Sequence, residues 1–170
     1  MVRKNMIVII VLAVIIVAGI IFFWWWFGAN HQIKKLLNSL ESTISFDNRP
    51  TLIATSIKAE RLINYFSSDV ALDIKSDDGL VELHTTDREE IRDYFLASLQ
   101  RVSLINVRFL DTQINANRGR ASLETTARVR VLSDFGETNL ILPLRMVLEH
   151  SSGDWQIQSV SSIEIIKRYR

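Results

Sequence analysis

Residues 104–166 read LINVRFLDTQINANRGRASLETTARVRVLSDFGETNLILPLRMVLEHSSGDWQIQSVSSIEII, and this stretch decides the fold. Its clearest alternation places one set of side chains on one face of a strand: Ala121, Leu123, Thr125, Ala127, Val129 and Val131. Polar residues occupy the positions between them, which is typical of a strand with one covered face and one wet or interface face. Turn-forming residues at 115–119, 134–136 and 151–154 divide the stretch into four segments. We therefore predict four strands in a curved antiparallel sheet.

Two features within this stretch predict irregular pairing. Pro143 lacks an amide hydrogen, which favours a position at a sheet edge or a bulge. The alternation changes parity after Ile157, which predicts a β-bulge that helps the sheet to curl.

The preceding residues predict three helices and a short hairpin. Apolar side chains recur at helical spacing over 33–44 and 52–66, on one side of each helix only. Residues 70–74 and 80–84 read as two short strands around a turn. Thr86 followed by Glu89 fits a capping box that starts a third helix. Because each helix has only one apolar side, we expect all three to cover the later sheet.

Residues 6–27 form the most hydrophobic segment of the chain. These 22 residues carry no charge, and a helix of that length reaches the roughly 30 Å thickness of a bilayer core. A secretory signal peptide is the alternative, but its apolar region is shorter, and the plausible cleavage point after Ala29 follows Phe27 too closely. Tryptophans at 24–26 suit a membrane interface, and Arg3 and Lys4 favour a cytoplasmic N-terminus. We predict a cytoplasmic tail (1–5), a transmembrane helix (6–27), a juxtamembrane linker (28–32) and an extracytoplasmic, periplasmic domain (33–170).

Composition narrows the classes of function. Arg3 and Lys4 precede the predicted span, which leaves 18 basic against 19 acidic side chains after it, a formal charge of −1. This balance predicts no nucleic-acid partner. The chain contains no cysteine, which excludes disulfides, thiolate catalysis and zinc-thiolate sites.

The predicted order of helix, helix, hairpin, helix and four-stranded meander resembles the nuclear-transport-factor-2-like, cystatin-like cone superfamily. The segment Gly153-Asp154-Trp155-Gln156-Ile157 is similar to the last hairpin of that family. The resemblance covers about residues 33–166 and implies an α+β fold, with three helices packed on a curved antiparallel sheet. The superfamily includes ketosteroid isomerases, dehydratases and polyketide cyclases beside non-enzymatic dimerisation and assembly modules. The fold alone therefore implies no single function.

Enzymes that this chain resembles place an acid or base inside the cone. The alternation puts only apolar residues and Thr125 on the inner side of this sheet, and none can transfer a proton. Residues Tyr65, Tyr94, Thr125 and Ala127 suit a small pocket for an apolar ligand, or simply the filling of a tapered core. We predict no catalytic residue, no metal site and no cofactor, since the three histidines are isolated in the sequence.

The outer face of the sheet is the second candidate site. Its predicted members mix arginine with aliphatic and small residues: Thr126, Arg128, Arg130, Ile141, Arg145 and Val147. Domains of the superfamily often dimerise through this face, and such a mixture suits an interface. A solvated face with scattered aliphatic residues explains the same pattern.

Together these observations predict a single-pass membrane protein whose domain binds a partner or a second copy of itself without catalysis. The alternative is a small-molecule binder, or an isomerase- or dehydratase-like enzyme, that uses the cone cavity. The layout is similar to the inner-membrane assembly factor of type IV secretion and conjugation machines. This chain lacks that group's longer tail and its Asn-Pro-x-Gly motif. The similarity therefore supports only a scaffold held at the membrane.

Overall fold

A computed structural model describes residues 14–17, 28–48, 50–76, 79 and 82–163. The chain divides into two compact units, Met1–Lys34 and Lys35–Arg170. In the first unit, residues 14–17 and 28–34 are helical. The predicted linker at 28–32 is therefore helical, and the predicted start of the domain at 33 lies two residues before the second unit.

The predicted transmembrane segment lies mostly outside the described residues. Of residues 6–27, only 14–17 are described. Within the residues that the structure describes, no helix has the length and apolar character needed to cross a membrane.

Among the described residues from 28 onward, three helices precede or interrupt the strands. Helix α1 covers residues 28–44, α2 covers Leu52–Ile63 and α3 covers Arg88–Arg101. The side chain of Thr51 caps α2 by accepting a hydrogen bond from the amide of Ala54, at 3.3 Å. The α2 helix ends before Phe66, which sequence periodicity had assigned to it and which instead begins the first strand.

The capping box predicted at Thr86 is wrong by one residue. The N-cap of α3 is Asp87, whose carboxylate accepts the amide of Glu89 at 2.8 Å. The hydroxyl of Thr85 in turn accepts the amide of Asp87 at 3.1 Å. The bond to Thr85 thus fixes the turn before the helix. Asp87 then takes the position from which a side-chain oxygen can reach the first free amides of the helix.

Six strands form one sheet in the spatial order β2-β1-β6-β5-β4-β3. Their bounds are β1 Phe66–Lys75, β2 Glu82–Thr85, β3 Val102–Asn117, β4 Arg120–Ser133, β5 Gly136–Ser151 and β6 Asp154–Ser162. Strands β3 to β6 form the four-stranded meander that the sequence predicts. Glycines with positive φ stand in its three turns, at Gly119 (84°), at Gly136 (119°) and at Gly153 (97°).

The sequence predicted an antiparallel sheet, but the observed sheet also contains one parallel pair. Strand β1 pairs in parallel with β6, and β2 then pairs with β1 as the second strand of its hairpin. Without β1, the last strand of the meander would be left as an open edge, so this pairing satisfies hydrogen-bonding groups that would otherwise be exposed. The hairpin thereby extends the meander into a six-stranded sheet.

Pro143 does not lie on an edge strand, because β5 stands between β4 and β6. Its carbonyl accepts the amide of Ile163 at 2.9 Å, one residue past the end of β6. The amide and carbonyl of one strand residue point to the same side, so the missing amide hydrogen of Pro143 faces the end of β6. An interior strand can therefore carry this proline without losing a bond of the regular ladder.

Several β-bulges or irregularities interrupt the strand pairing. The predicted bulge after Ile157 is confirmed, because Leu148 faces Ile157 while Val147 faces Ser159. A second bulge lies in β3, where the register shifts between Leu110 and Gln113. Asp111 has a φ of 53° there, a left-handed conformation that aspartate adopts more readily than most residues. The sheet is therefore curved.

Helix α3 packs against β1, β2 and β3 and also against α2. Its buried residues Ile91, Phe95 and Leu99 recur every four positions and form one stripe. The predicted class, an α+β domain with helices on a curved sheet, is confirmed for the described residues of the second unit.

Candidate functional site

A cavity of about 300 Å³ lies between the helices and the concave face of the sheet. The sheet lines it with residues from every strand except β2, among them Ala127, Val129, Leu142 and Met146. The helices line it with Leu40 and Ile44 of α1 and with Phe95 and Ser98 of α3. This volume lies at the lower end of the range found for small-molecule pockets.

The lining is almost entirely hydrocarbon. Among the described residues, every lining side chain except Ser98 is aliphatic, phenyl or thioether. The hydroxyl of Ser98 donates to the carbonyl of Phe95 at 2.7 Å, within its own helix. No carboxylate, imidazole, amine or phenol belongs to this lining. The described cavity can therefore hold an apolar molecule, but it offers no group that would transfer a proton.

The end of α1 borders the cavity and lies against the edge of the sheet. Strand β3 is an edge strand, yet its amides meet partners from α1 and the residues after it. Phe46 and Ile105 exchange backbone hydrogen bonds of 2.7 and 3.0 Å. The Ser45 hydroxyl accepts the amide of Val107 at 2.9 Å, and the carboxylate of Glu41 accepts the amide of Phe109. These bonds cover the edge and hold α1 beside the cavity lining.

Lys58 of α2 holds the same end of α1 from the other side. Its ammonium donates to three carbonyls, those of Ser42 at 3.3 Å, Thr43 at 3.0 Å and Ser45 at 2.9 Å. The last carbonyls of a helix have no partner within it, and a cation is favourable at that end. Burial, followed by the positive charge of Arg61, lowers the pKa of Lys58.

The structure places the four predicted pocket residues differently. Ala127 lines the cavity. Thr125 is buried, and its hydroxyl donates to the carbonyl of Leu110 at 2.9 Å, at the β3 bulge. The phenol of Tyr65 is hydrogen-bonded to the Thr43 hydroxyl at 3.2 Å. Tyr94 is 49% exposed, and its phenol donates to Glu90 at 3.3 Å. Of the four, only Ala127 belongs to the described lining.

The sequence prediction selected helical residues by their hydroxyl groups and not by the face of the helix on which they lie, so it missed the helical residues that line the cavity. Tyr94 precedes Phe95 by one residue, and one residue turns a helix by about 100°, so the two cannot share a face. The stripe of Ile91, Phe95 and Leu99 was available in the sequence as the signal. Helical periodicity, rather than the presence of a hydroxyl, would have identified Phe95.

The six predicted interface residues all lie on the outer face of the sheet. Thr126, Arg128 and Arg130 alternate along β4, and Ile141 and Arg145 stand on β5. The register places Arg128 opposite Ile141, and Ser122 of β4 opposite the sixth residue, Val147. Ile141 is 66% exposed, whereas Val147 is half-buried.

Two arginines of this face are paired with glutamates of the same face. Arg130 donates to Glu137 through Nε at 2.9 Å and through Nη2 at 3.2 Å. This hydrogen bond is the main cause that lowers the pKa of Glu137, and it also raises the pKa of Arg130. Arg145 donates to Glu124, its cross-strand partner, at 2.8 and 3.1 Å.

Two further arginines of this face oppose each other, whereas Arg120 lies opposite Glu149 in the register. Arg108 of β3 is the register partner of Arg128, and both side chains are exposed. No ion pair joins either guanidinium to a carboxylate of the described residues. Opposed like charges in a sheet are unfavourable. The row Arg108, Arg128 and Ile141 is therefore the part of the outer face whose charge is not balanced locally.

The described titratable residues form no metal site. No three of the histidine, aspartate and glutamate side chains in the described ranges converge as ligands of an ion. His84 stands beside exposed Asp73, with Nδ1 and Oδ1 separated by 3.8 Å. His150 packs edge-on against Trp155, with ring centroids 5.2 Å apart.

No protein-family profile matches this chain, and no curated protein is similar to it in sequence. Solved structures do share its fold. A proposed calcium/calmodulin-dependent protein kinase II association domain from Xanthomonas campestris superposes with a TM-score of 0.62 and 13% identity, over 82% of this chain and 90% of its own. A proposed scytalone dehydratase from Novosphingobium aromaticivorans gives 0.60 and 10%, over 82% and 94%.

A protein of unknown function with a cystatin-like fold from Nostoc punctiforme gives a TM-score of 0.54 and 17% identity, over 78% of this chain and 88% of its own. At these identities the similarity shows the fold alone. The chain has the nuclear-transport-factor-2-like, cystatin-like cone fold, which confirms the fold that the resemblance implies. Proteins of this fold include candidate enzymes and association domains, so the function has to be argued from the site.

Proposed function

We propose that this protein is a membrane-anchored binding module whose cone domain docks a partner through the outer face of the sheet and carries out no catalysis. The observation that carries the proposal is the contrast between the two faces of the sheet. The inner face lines a cavity without a proton-transfer group among the described residues, whereas the outer face presents unbalanced arginines beside an exposed isoleucine. Arginine is enriched at protein interfaces, and the buried centre of an interface is more apolar than the rest of the surface.

Crosslinking from two matched isoleucines tests this docking surface. Ile141 on the outer face is 66% exposed, and Ile53 on α2 is 75% exposed. A photoreactive phenylalanine analogue is placed at either position in the full-length protein, and the membranes of the source cells are irradiated. We expect a discrete protein adduct from position 141 and none from position 53. Equal labelling from both positions, or no protein adduct from 141, would contradict the proposal.

The membrane anchor is supported by the 22 uncharged residues at 6–27 and by the basic residues before them. Because the chain has no cysteine, single cysteines report its orientation directly. With Asp134→Cys, a membrane-impermeant maleimide should label intact cells. With Asn5→Cys, it should label only permeabilised cells. The reverse pattern, or recovery of the protein in the soluble fraction, would refute this orientation or the anchor.

The cavity favours a second candidate function, the binding of an apolar small molecule. Its hydrocarbon lining and volume of about 300 Å³ suit an uncharged ligand held by burial alone. Organic extracts of protein purified in its native lipids should contain an enriched compound that is lost with Ala127→Leu, which fills the cavity. Ala71→Leu adds the same side chain at an exposed position of β1 and should retain the compound. Identical extracts from both variants would exclude this candidate.

A further inference from the structure

One row of three side chains crosses the outer face from the edge strand β3 to β5. Arg108 of β3 faces Arg128 of β4, and Arg128 faces Ile141 of β5. Directly opposed residues have Cβ atoms roughly 5 Å apart, so the two guanidinium groups can reach one carboxylate together. We infer that this row binds an acidic segment of a partner protein, with carboxylates between the arginines and an aliphatic group over Ile141. The inference rests on the proposed docking function of this face.

Two other arginines of the face differ from Arg108 and Arg128 because each has a carboxylate partner within the domain. Arg130 and Arg145 lie on the same face, and each is neutralised within the domain, by Glu137 and Glu124 respectively. The row of Arg108, Arg128 and Ile141 has no such carboxylate among the described residues. An arginine pair binds a carboxylate in a planar, bidentate geometry, which supplies specificity as well as attraction. A bound acidic segment would therefore convert a repulsive cross-strand pair into a bridged one.

A second copy of the chain fits this row poorly. Contact between two identical faces would bring the Arg108 and Arg128 of each copy near the same positive row. Glu137 and Glu124 of this face are already engaged by Arg130 and Arg145, and Glu149 lies opposite Arg120 in the register. A contact centred on the row would therefore oppose like charges where the two copies meet, and a buried unpaired charge is costly.

A uniformly anionic membrane surface also fits less well. Glu124 and Glu137 lie on the same face as the row and are 53% and 42% exposed. Their carboxylates would repel phospholipid headgroups spread over the whole face. A narrow acidic segment that follows the row avoids them and still meets both arginines. Discrete charge complementarity thus favours a protein segment.

The test uses the full-length protein in the membranes of its source cells, with the photoreactive phenylalanine analogue at position 141. The crosslinked peptide is sequenced by mass spectrometry. We expect it to come from another protein and to carry at least two aspartates or glutamates near the crosslinked residue. Arg108→Glu and Arg128→Glu should each reduce the adduct by about tenfold or more, which corresponds to about 1.4 kcal/mol of binding free energy. High salt should reduce the adduct as well.

Arg101→Glu is the control, because it makes the same charge change at an exposed position of α3. It should leave the adduct unchanged, and circular dichroism should show that all three variants are folded. A crosslinked segment without acidic residues, an adduct with a second copy, or equal losses in all three variants would overturn the acidic partner while leaving a docking face. Adducts with lipid alone, or no adduct, would overturn both this inference and the proposed function.

Discussion

The contact of Lys58 with the end of α1 predicts a large effect for Lys58→Met. The substitution keeps most of the hydrocarbon stem and removes the ammonium, which bonds three carbonyls at 2.9 to 3.3 Å. Those carbonyls lie at the C-terminal end of a helix, where no backbone partner replaces the lost donor. The loss therefore falls on the segment that covers the edge of β3 and borders the cavity.

The magnitude follows from the number and kind of bonds. A hydrogen bond from a charged group contributes about 1.5 to 3 kcal/mol, and a cation at a helix C-terminus contributes about 0.3 to 1 kcal/mol. The three bonds share one ammonium that is only partly buried, so their contributions do not add in full. We expect Lys58→Met to lower the free energy of unfolding by about 2 to 3 kcal/mol.

Urea unfolding of the purified protein, followed by far-ultraviolet circular dichroism, measures this difference. Lys75→Met is the matched control, because Lys75 is 67% exposed and has a single ion pair, to Glu82 at 3.6 Å. The control should change the free energy of unfolding by less than about 0.5 kcal/mol. Hydrogen exchange adds a local measurement. The amides of Val107 and Phe109, which are bonded to Ser45 and Glu41, should lose protection in Lys58→Met.

A loss in Lys58→Met no larger than in Lys75→Met would refute the assigned role of the ammonium. Unchanged protection of the Val107 and Phe109 amides, despite a global loss of stability, would refute the more specific claim that Lys58 holds the end of α1 against β3. Lys58→Arg separates charge from geometry. It keeps the charge on a different donor group, so it should recover part of the loss.

Three further changes test other parts of the structure. Arg128→Gln should raise the thermal unfolding midpoint, because two unit charges about 6 Å apart in water repel by roughly 0.7 kcal/mol. The gain should shrink in high salt, and a lower midpoint would contradict the repulsion between Arg108 and Arg128. Arg130 lowers the pKa of Glu137 in the folded state. The pair therefore stabilises the protein above the unfolded pKa of Glu137, and this stabilisation is lost as the pH falls through the folded pKa. Glu137→Gln should flatten that part of the curve of stability against pH, and an unchanged acid side of the curve would exclude the contribution. Asp87→Ala should cost about 1 kcal/mol in chemical unfolding and Thr86→Ala almost nothing, whereas equal costs would restore the cap that sequence predicted.

The meander was predictable because local patterns determine it. The alternation along β4 assigns Leu123 and Ala127 to the inner face, and both are buried. Glycines with positive φ mark the tight turns between the strands, and a parity change marks the β6 bulge. Each of these signals lies within a few residues of the feature that it predicts.

The parallel pairing of β1 with β6 was not predictable in this way. Leu72 and Val160 are register partners, although 88 positions separate them in the chain. Their pairing depends on which strand edge stays open after the meander has formed, and no local pattern records that. The cap of α3 was mispredicted for a local reason, because Thr86 and Asp87 are both acceptable capping residues by type and only the hydrogen bonds show that Asp87 caps the helix.

The outer face shows most clearly where sequence reasoning stops. Alternation alone places Arg128, Arg130 and Arg145 on one face and treats them as equivalent. The register separates them, because it brings Glu124 opposite Arg145 and Arg108 opposite Arg128. A shift of two residues in the β3–β4 pairing would keep every side chain on its face and still remove the like-charge pair. The position of Arg108 opposite Arg128 therefore depends on register, which the hairpin turns and the β3 bulge determine together. A change that relaxed this bulge would separate the two arginines without altering either of them.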